Sequence, residues 1–271
     1  MLHTINRIKV VAYNTFLEAV RDRILYSLLI FAVLMILGTI IISSISAEQY
    51  NKITKDFGLT TISIIGILIS CFLGMNVVYK EIDRKTVYNL FSKPVRRFEF
   101  VLGKYLGISF TLFVITLGMS IILFVLVYYV ENRYKGLIEF HYGGQYYAQF
   151  VAALYFTFLE FLIIIAISLV FSSFTTPIMT VMFVLLVFII GRFSSDIKLF
   201  SQHVNHPLVG YITEGVYRLV PHLDQFNLRN QAVYGGDINL SLFLNLSSYA
   251  LLYCFAMIVL SIAIFEKKEF K

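Results

Sequence analysis

Six stretches of this chain run for 14 to 30 residues with no more than one charged side chain in each: Ile24–Ser46, Leu59–Tyr79, Val101–Val130, Tyr147–Phe171, Ile178–Gly191 and Leu242–Phe265. A helix rises about 1.5 Å per residue, so roughly 20 apolar residues cross the hydrocarbon of a bilayer. Five stretches meet that length. The third exceeds it and is expected to tilt or protrude. The fifth reaches it when counted from Ser172 through Phe193, with Pro177 in the first turns, where a missing N–H is tolerated. The expected fold class is an all-α membrane protein with six transmembrane helices, at about 24–46, 59–79, 101–130, 147–171, 173–192 and 242–265, forming one transmembrane domain over residues 1–271. Charge agrees: 14% of the residues are charged, against about 25% in soluble domains.

Basic residues orient the spans. Four precede the first span (Arg7, Lys9, Arg21, Arg23), seven follow the second (Lys80, Arg84, Lys85, Lys93, Arg96, Arg97, Lys104) and three close the chain (Lys267, Lys268, Lys271). The opposite side holds eight: Lys52, Lys55, Arg133, Lys135, Arg192, Lys198, Arg218 and Arg229. Fourteen against eight places both termini in the cytoplasm. The net charge of +6 belongs to residues that flank spans, so anionic membrane lipid, not nucleic acid, is the expected partner for it. Tyrosines at the ends of the runs supply the interfacial belt in a chain without tryptophan. The first run is too long for a cleavable signal, so it is expected to stay in the mature protein. Cys71 and Cys254 lie inside apolar runs and are expected to pack as small hydrophobes.

Between the spans, residues 1–22 carry Leu2, Ile5, Ile8, Ala12, Phe16 and Ala19 at steps of three or four, with Arg7, Asn14, Glu18 and Arg21 at other angles. That pattern predicts an amphipathic helix in the interface, the alternative being a plain extension of the first span. In the 80–100 loop, Thr86 to Phe91 can form a short helix with Val87, Leu90 and Phe91 near one face. Ser92-Lys93-Pro94 ends it, because proline blocks helix continuation. Such a helix on a basic hairpin suits docking in a groove of a cytoplasmic partner; an ordinary basic anchor loop is the alternative. The 193–241 segment is long for an undecorated connection. Its stripe of Leu208, Tyr211, Ile212, Gly215, Val216 and Leu219 predicts a short outer helix, on the membrane surface or on top of the bundle.

The motifs exclude several chemistries. No G-x-x-x-x-G-K-[ST] occurs, so a phosphate-binding loop is lacking; neither H-E-x-x-H nor G-x-S-x-G is present. Glu160 is the exception within the spans. An ionisable group at that depth faces a bundle interior or a water path, and the readings are a residue on a translocation path or a packing hydrogen bond. Asn76 is expected to bond between helices, or to border the same path. His203 and His206 are too few for a metal site, and none is expected.

Two segments resemble a known family. Thr15–Leu25, TFLEAVRDRIL, and Tyr79–Gly107 are similar to the membrane subunits of ABC-2 type exporters, the second through Glu81, Thr86, Leu90, Ser92, Lys93, Pro94, Arg97, Phe100, Gly103 and Lys104. Val220–Tyr234 and Phe265–Phe270 also look typical. The resemblance implies the permease of an exporter in the bacterial inner membrane; lipid, peptide, drug-like amphiphile and polysaccharide are all open as substrates, and the apolar, aromatic spans lean towards an amphiphilic or lipidic one. It implies two copies of a separate ABC ATPase and a second permease subunit, as homodimer or related heterodimer. ATP and Mg would sit in the ATPase, with no cofactor bound by this chain. Glu81, Arg84, Lys85, Thr86, Leu90, Phe91, Ser92, Lys93, Pro94 and Arg97 would then couple to the ATPase, and Glu18 and Arg21 would link the interfacial helix to that loop. The rival functions are a membrane scaffold or assembly factor without transport and an integral membrane enzyme acting on lipid.

Overall fold

The computed structural model describes residues 2–45, 50–83, 96–133, 144–203, 213–215, 217–234 and 239–267. In an apolar medium a backbone must satisfy its own hydrogen bonds, and a helix does so within one segment. The described residues accordingly form helices: α1 Leu2–Val20, α2 Arg23–Ile45, α3 Tyr50–Asp83, α4 Arg97–Arg133, α5 Gly144–Ser172, α6 Pro177–Arg192, α7 Ser194–His203, α8 Arg229–Tyr234 and α9 Leu240–Lys267, with a 3-10 turn at Leu223–Phe226 before α8. No strand occurs among them. Five helices, α2, α3, α4, α5 and α9, are long and apolar enough to cross a membrane.

Helix α6 is shorter than the sequence predicts. A span from 173 is expected, yet 173–176 form a turn in which the Thr175 N–H bonds back to the Phe171 carbonyl at 2.9 Å. Thr176 is extended, as a residue before proline prefers, and the helix starts at Pro177. It has 16 residues, about 24 Å of rise. Helix α5 has 29, about 43 Å. Much of α5 beyond the end of α6 therefore needs another cover. The segment from Val220 to Val233 supplies it, burying Leu223, Phe226, Leu228 and Ala232 against α5 and α3.

The N-terminal helix is a separate element. It closes at Arg21, and the Asp22 carboxylate accepts the Ile24 N–H at 3.0 Å, capping α2. α1 lies along the first turns of α4, where Gly103 and Gly107 let the backbones touch. A Cβ at Gly107 would stand 2.6 Å from the Ala12 carbonyl oxygen, and one at Gly103 would stand 2.6 Å from the Val11 Cβ. The packed face keeps most of the predicted stripe and widens it: Ala19 is buried, Phe16 meets Phe110, and Val11 and Thr15 join them, whereas Ile5 is exposed.

Helix α9 serves as a ruler for the two ends of the bundle. Near its start, Tyr249 accepts the His222 N–H at 3.2 Å, beside the 3-10 turn. Near its finish, Phe265 stacks on Phe100 of α4 with ring centroids 5.8 Å apart. These are called the α8 end and the α1 end. The core between them centres on α5, whose Phe156, Phe161 and Ile163–Ala166 are fully buried.

Candidate functional site: a two-arginine cleft and a tied platform

At the α8 end the short reach of α6 sets the position of a charged pair. Its last residue, Arg192, emerges beside the middle of α5 and not at the top of a full-length span. There its Nη1 donates to Glu160 Oε1 at 2.9 Å. Glu160 is 1% exposed and the arginine side chain 22%. A carboxylate so buried needs a partner, and a guanidinium at a partly open position is the least costly one. The same Nη1 lies 3.5 Å from the Leu223 carbonyl, joining the pair to the 3-10 turn.

A second pair stands beside the first. Arg229, the first residue of α8, places Nε 3.0 Å from Asp56 Oδ1 of α3 and donates from Nη1 to the Thr60 hydroxyl. Asp224 holds the turn in place by accepting hydrogen bonds from Ser194 at 2.8 Å and from Ser195. Between the two arginines opens a cleft of about 320 Å³. Arg192, Arg229, Asn227, Thr60 and Ser63 are its polar lining; Ile64, Ile67, Leu68, Leu185 and Phe188 are its apolar lining. A further space of about 10 Å³ continues from it to Glu160 and Thr157. Glu160 thus makes the packing bond and also borders the space beside the cleft. The cleft gathers hydrogen-bond donors beside an apolar lining, an arrangement suited to holding a molecule.

The α1 end carries a different cluster. Glu99 sits three residues after the first cap of α4 and accepts the Arg96 N–H at 2.9 Å, as a capping-box acid does. Arg7 of α1 approaches the same carboxylate to 3.7 Å. Lys104 is buried and pairs with Glu18 of α1 at 3.5 Å. Arg97 donates to the carbonyls of Phe265 at 2.9 Å and Glu266 at 2.7 Å, satisfying the free end of α9. The first turns of α4 are therefore fastened to α1 and to α9 together.

Of the residues expected to couple, Arg97 and Glu18 fall in this cluster. Glu81 lies in the last turn of α3. Arg84, Lys85, Thr86, Leu90, Phe91, Ser92, Lys93 and Pro94 lie outside the described residues, as do His206 and the side chain of Asn76. Arg21 is exposed just past α1 and makes no ion pair among the described residues. The predicted outer stripe Leu208–Leu219 falls largely outside the described residues. Cys71 and Cys254 are buried free thiols.

The family model for "ABC-2 family transporter protein" matches residues 10–270. The chain belongs to the ABC-2 transporter family. Its match takes in both clusters apart from Arg7, and the segment between α3 and α4. An ABC-2 protein of this kind is the transmembrane permease of an ABC transporter, a multi-pass membrane protein. No curated protein matches the chain.

Sequence reasoning misses Arg192, Arg229 and Asp56 at the cleft and Glu99 at the platform. It counts Arg192 and Arg229 only as loop charges. One signal exists for Arg192: it directly follows an apolar run too short to span from Ile178.

Proposed function

We propose that this ABC-2 protein is the permease subunit of an ATP-driven exporter of an amphiphilic or lipidic substrate, powered by a separate ATPase. In this reading it crosses a bacterial inner membrane six times with both termini in the cytoplasm. Two permeases, identical or related, work with two ATPases, which carry the ATP and Mg.

The observation that carries the reading is the anchoring of α4 at its first turns. The segment 84–95 joins α3 to α4, and Arg97, Glu99 and Lys104 tie the latter's start to α9 and α1. A displacement delivered to the Leu90–Phe91 region would enter α3 and α4 directly. It would reach α1 and α9 through three charged contacts and the Phe100–Phe265 stack. That supports a coupling role for this loop.

The test is purification of the full-length chain from its native membrane, identification of an ABC ATPase that co-purifies, and measurement of its ATP hydrolysis in lipid. Leu90→Asp and Phe91→Asp are expected to lower permease-dependent hydrolysis at least tenfold while leaving the chain folded. An ATPase that co-purifies but hydrolyses at the same rate with and without the permease would support a scaffold and overturn the transporter reading.

A further inference from the structure

We propose that the Arg192–Arg229 cleft binds an amphiphile with a phosphate-type anionic head, the head between the two guanidinium groups and the chain along Ile64, Ile67, Leu68, Leu185 and Phe188. This deepens the exporter reading by naming the site and headgroup class, and rests on it only for calling the bound molecule a cargo.

A guanidinium has five N–H donors in a planar fork that matches carboxylate and phosphate oxygens. Arg192 engages Glu160 and Leu223 through Nη1 alone. Arg229 directs Nη1 to Thr60, and its Nε lies in ion-pair range of Asp56 without a hydrogen bond among the described residues. Among the described residues, Nε and Nη2 of Arg192 and Nη2 of Arg229 therefore remain for a ligand without either ion pair being broken. Both side chains are partly exposed, at 22% and 31%. Ser63, Thr60 and Asn227 line the same cleft and can serve the remaining oxygens of a tetrahedral head.

The apolar lining selects for the tail. Five aliphatic or aromatic side chains continue along α3 and α6 from the polar residues, and Ile64 is exposed. A free inorganic oxyanion would leave that lining unused; an uncharged lipid would leave the guanidinium donors unused. Glu160 and Asp56 bring the four charges to zero. That disfavours tight capture of a small anion and makes a bound one releasable, as a transport site requires.

The site is tested by displacement of a fluorescent phosphatidic acid from the full-length chain in neutral detergent micelles. The competitors are short-chain phosphatidic acid, short-chain phosphatidylcholine and inorganic phosphate. Saturable binding is expected, with phosphatidic acid competing at least tenfold better than either alternative. Arg192→Gln strands Glu160, so the paired variants Arg192→Gln/Glu160→Gln and Arg229→Gln/Asp56→Asn are used. Each removes both charges of one pair and is expected to weaken phosphatidic acid at least tenfold. Equal competition by phosphatidylcholine, equal competition by inorganic phosphate, or unchanged binding in both paired variants would overturn the proposal. Those outcomes leave the ATPase measurement untouched, and a permease without effect on ATP hydrolysis would leave the binding result standing, so the two failures are distinguishable.

Discussion

Glu160 and Arg192 stand 2.9 Å apart with the carboxylate 1% exposed, and the energetics of that pair are asymmetric. Removing one member leaves an uncompensated buried charge, at a cost of about 3–5 kcal/mol. Removing both costs much less, since nothing is then stranded. Arg192→Gln is therefore expected to lower the thermal unfolding midpoint of the purified chain sharply, and Arg192→Gln/Glu160→Gln to recover most of the loss. Equal loss in both variants would mean that the arginine matters through packing alone. Gly107 makes a second prediction at this scale. Any Cβ there meets the Ala12 carbonyl oxygen at 2.6 Å, a backbone atom that cannot turn aside. Gly107→Leu is expected to cost at least about 1–3 kcal/mol, the range for overpacking, read by the same unfolding measurement. Glu160 is legible in the sequence because one charge in an apolar run has to be satisfied. Its partner is not, because an arginine at the end of a run looks like any flanking charge until the length of the helix before it is known.

At the scale of elements, the helices lie where the uncharged runs lie, and their boundaries follow local chemistry. Asp22 separates α1 from α2 through a cap, and Pro177 sets the start of α6. The shortness of α6 is readable in principle, since the apolar run after Pro177 is the shortest of the six. Its consequence is not readable. The segment Val220–Val233 folds against α5 because α6 ends early, and only tertiary packing reveals the vacancy it fills. Gly191 is the point of closest approach: a Cβ there would stand 2.6 Å from the Pro221 carbonyl oxygen. Gly191→Leu should push this segment away and raise amide hydrogen exchange in residues 221–233, with α1 and the first turns of α4 unchanged. Unaltered exchange would show that the segment is held by its own burial of Leu223 and Phe226 and not by its seat on α6. Helix α1 is the converse case. Its apolar stripe shows most of the buried face, and Gly103 and Gly107 across from it bring in Val11 and Thr15.

For the whole molecule, the two clusters lie at opposite ends of α9, with the spanning helices between them. The α1 end holds the first turns of α4, which follow in the chain the segment proposed to meet the ATPase; the α8 end holds the cleft proposed for cargo. Motion at one end can reach the other through α3, α4 and α9, which run between the ends, and through α5, which packs on all three. In the proposed orientation the α1 end is cytoplasmic, which the excess of basic residues supports; Arg192 and Arg229, counted among the loop charges of the opposite side, line the cleft. Setting those two aside leaves six basic residues on that side and strengthens the assignment. The orientation is what makes a cytoplasmic motor physically able to reach Leu90 and Phe91. It is tested most directly with single introduced cysteines and a membrane-impermeant maleimide in sealed vesicles of known sidedness, where the buried Cys71 and Cys254 should give little background. Lys93→Cys is expected to react only in inside-out vesicles, and Asp196→Cys, on exposed α7, only in right-side-out ones. Reaction of Lys93→Cys in right-side-out vesicles would contradict the account.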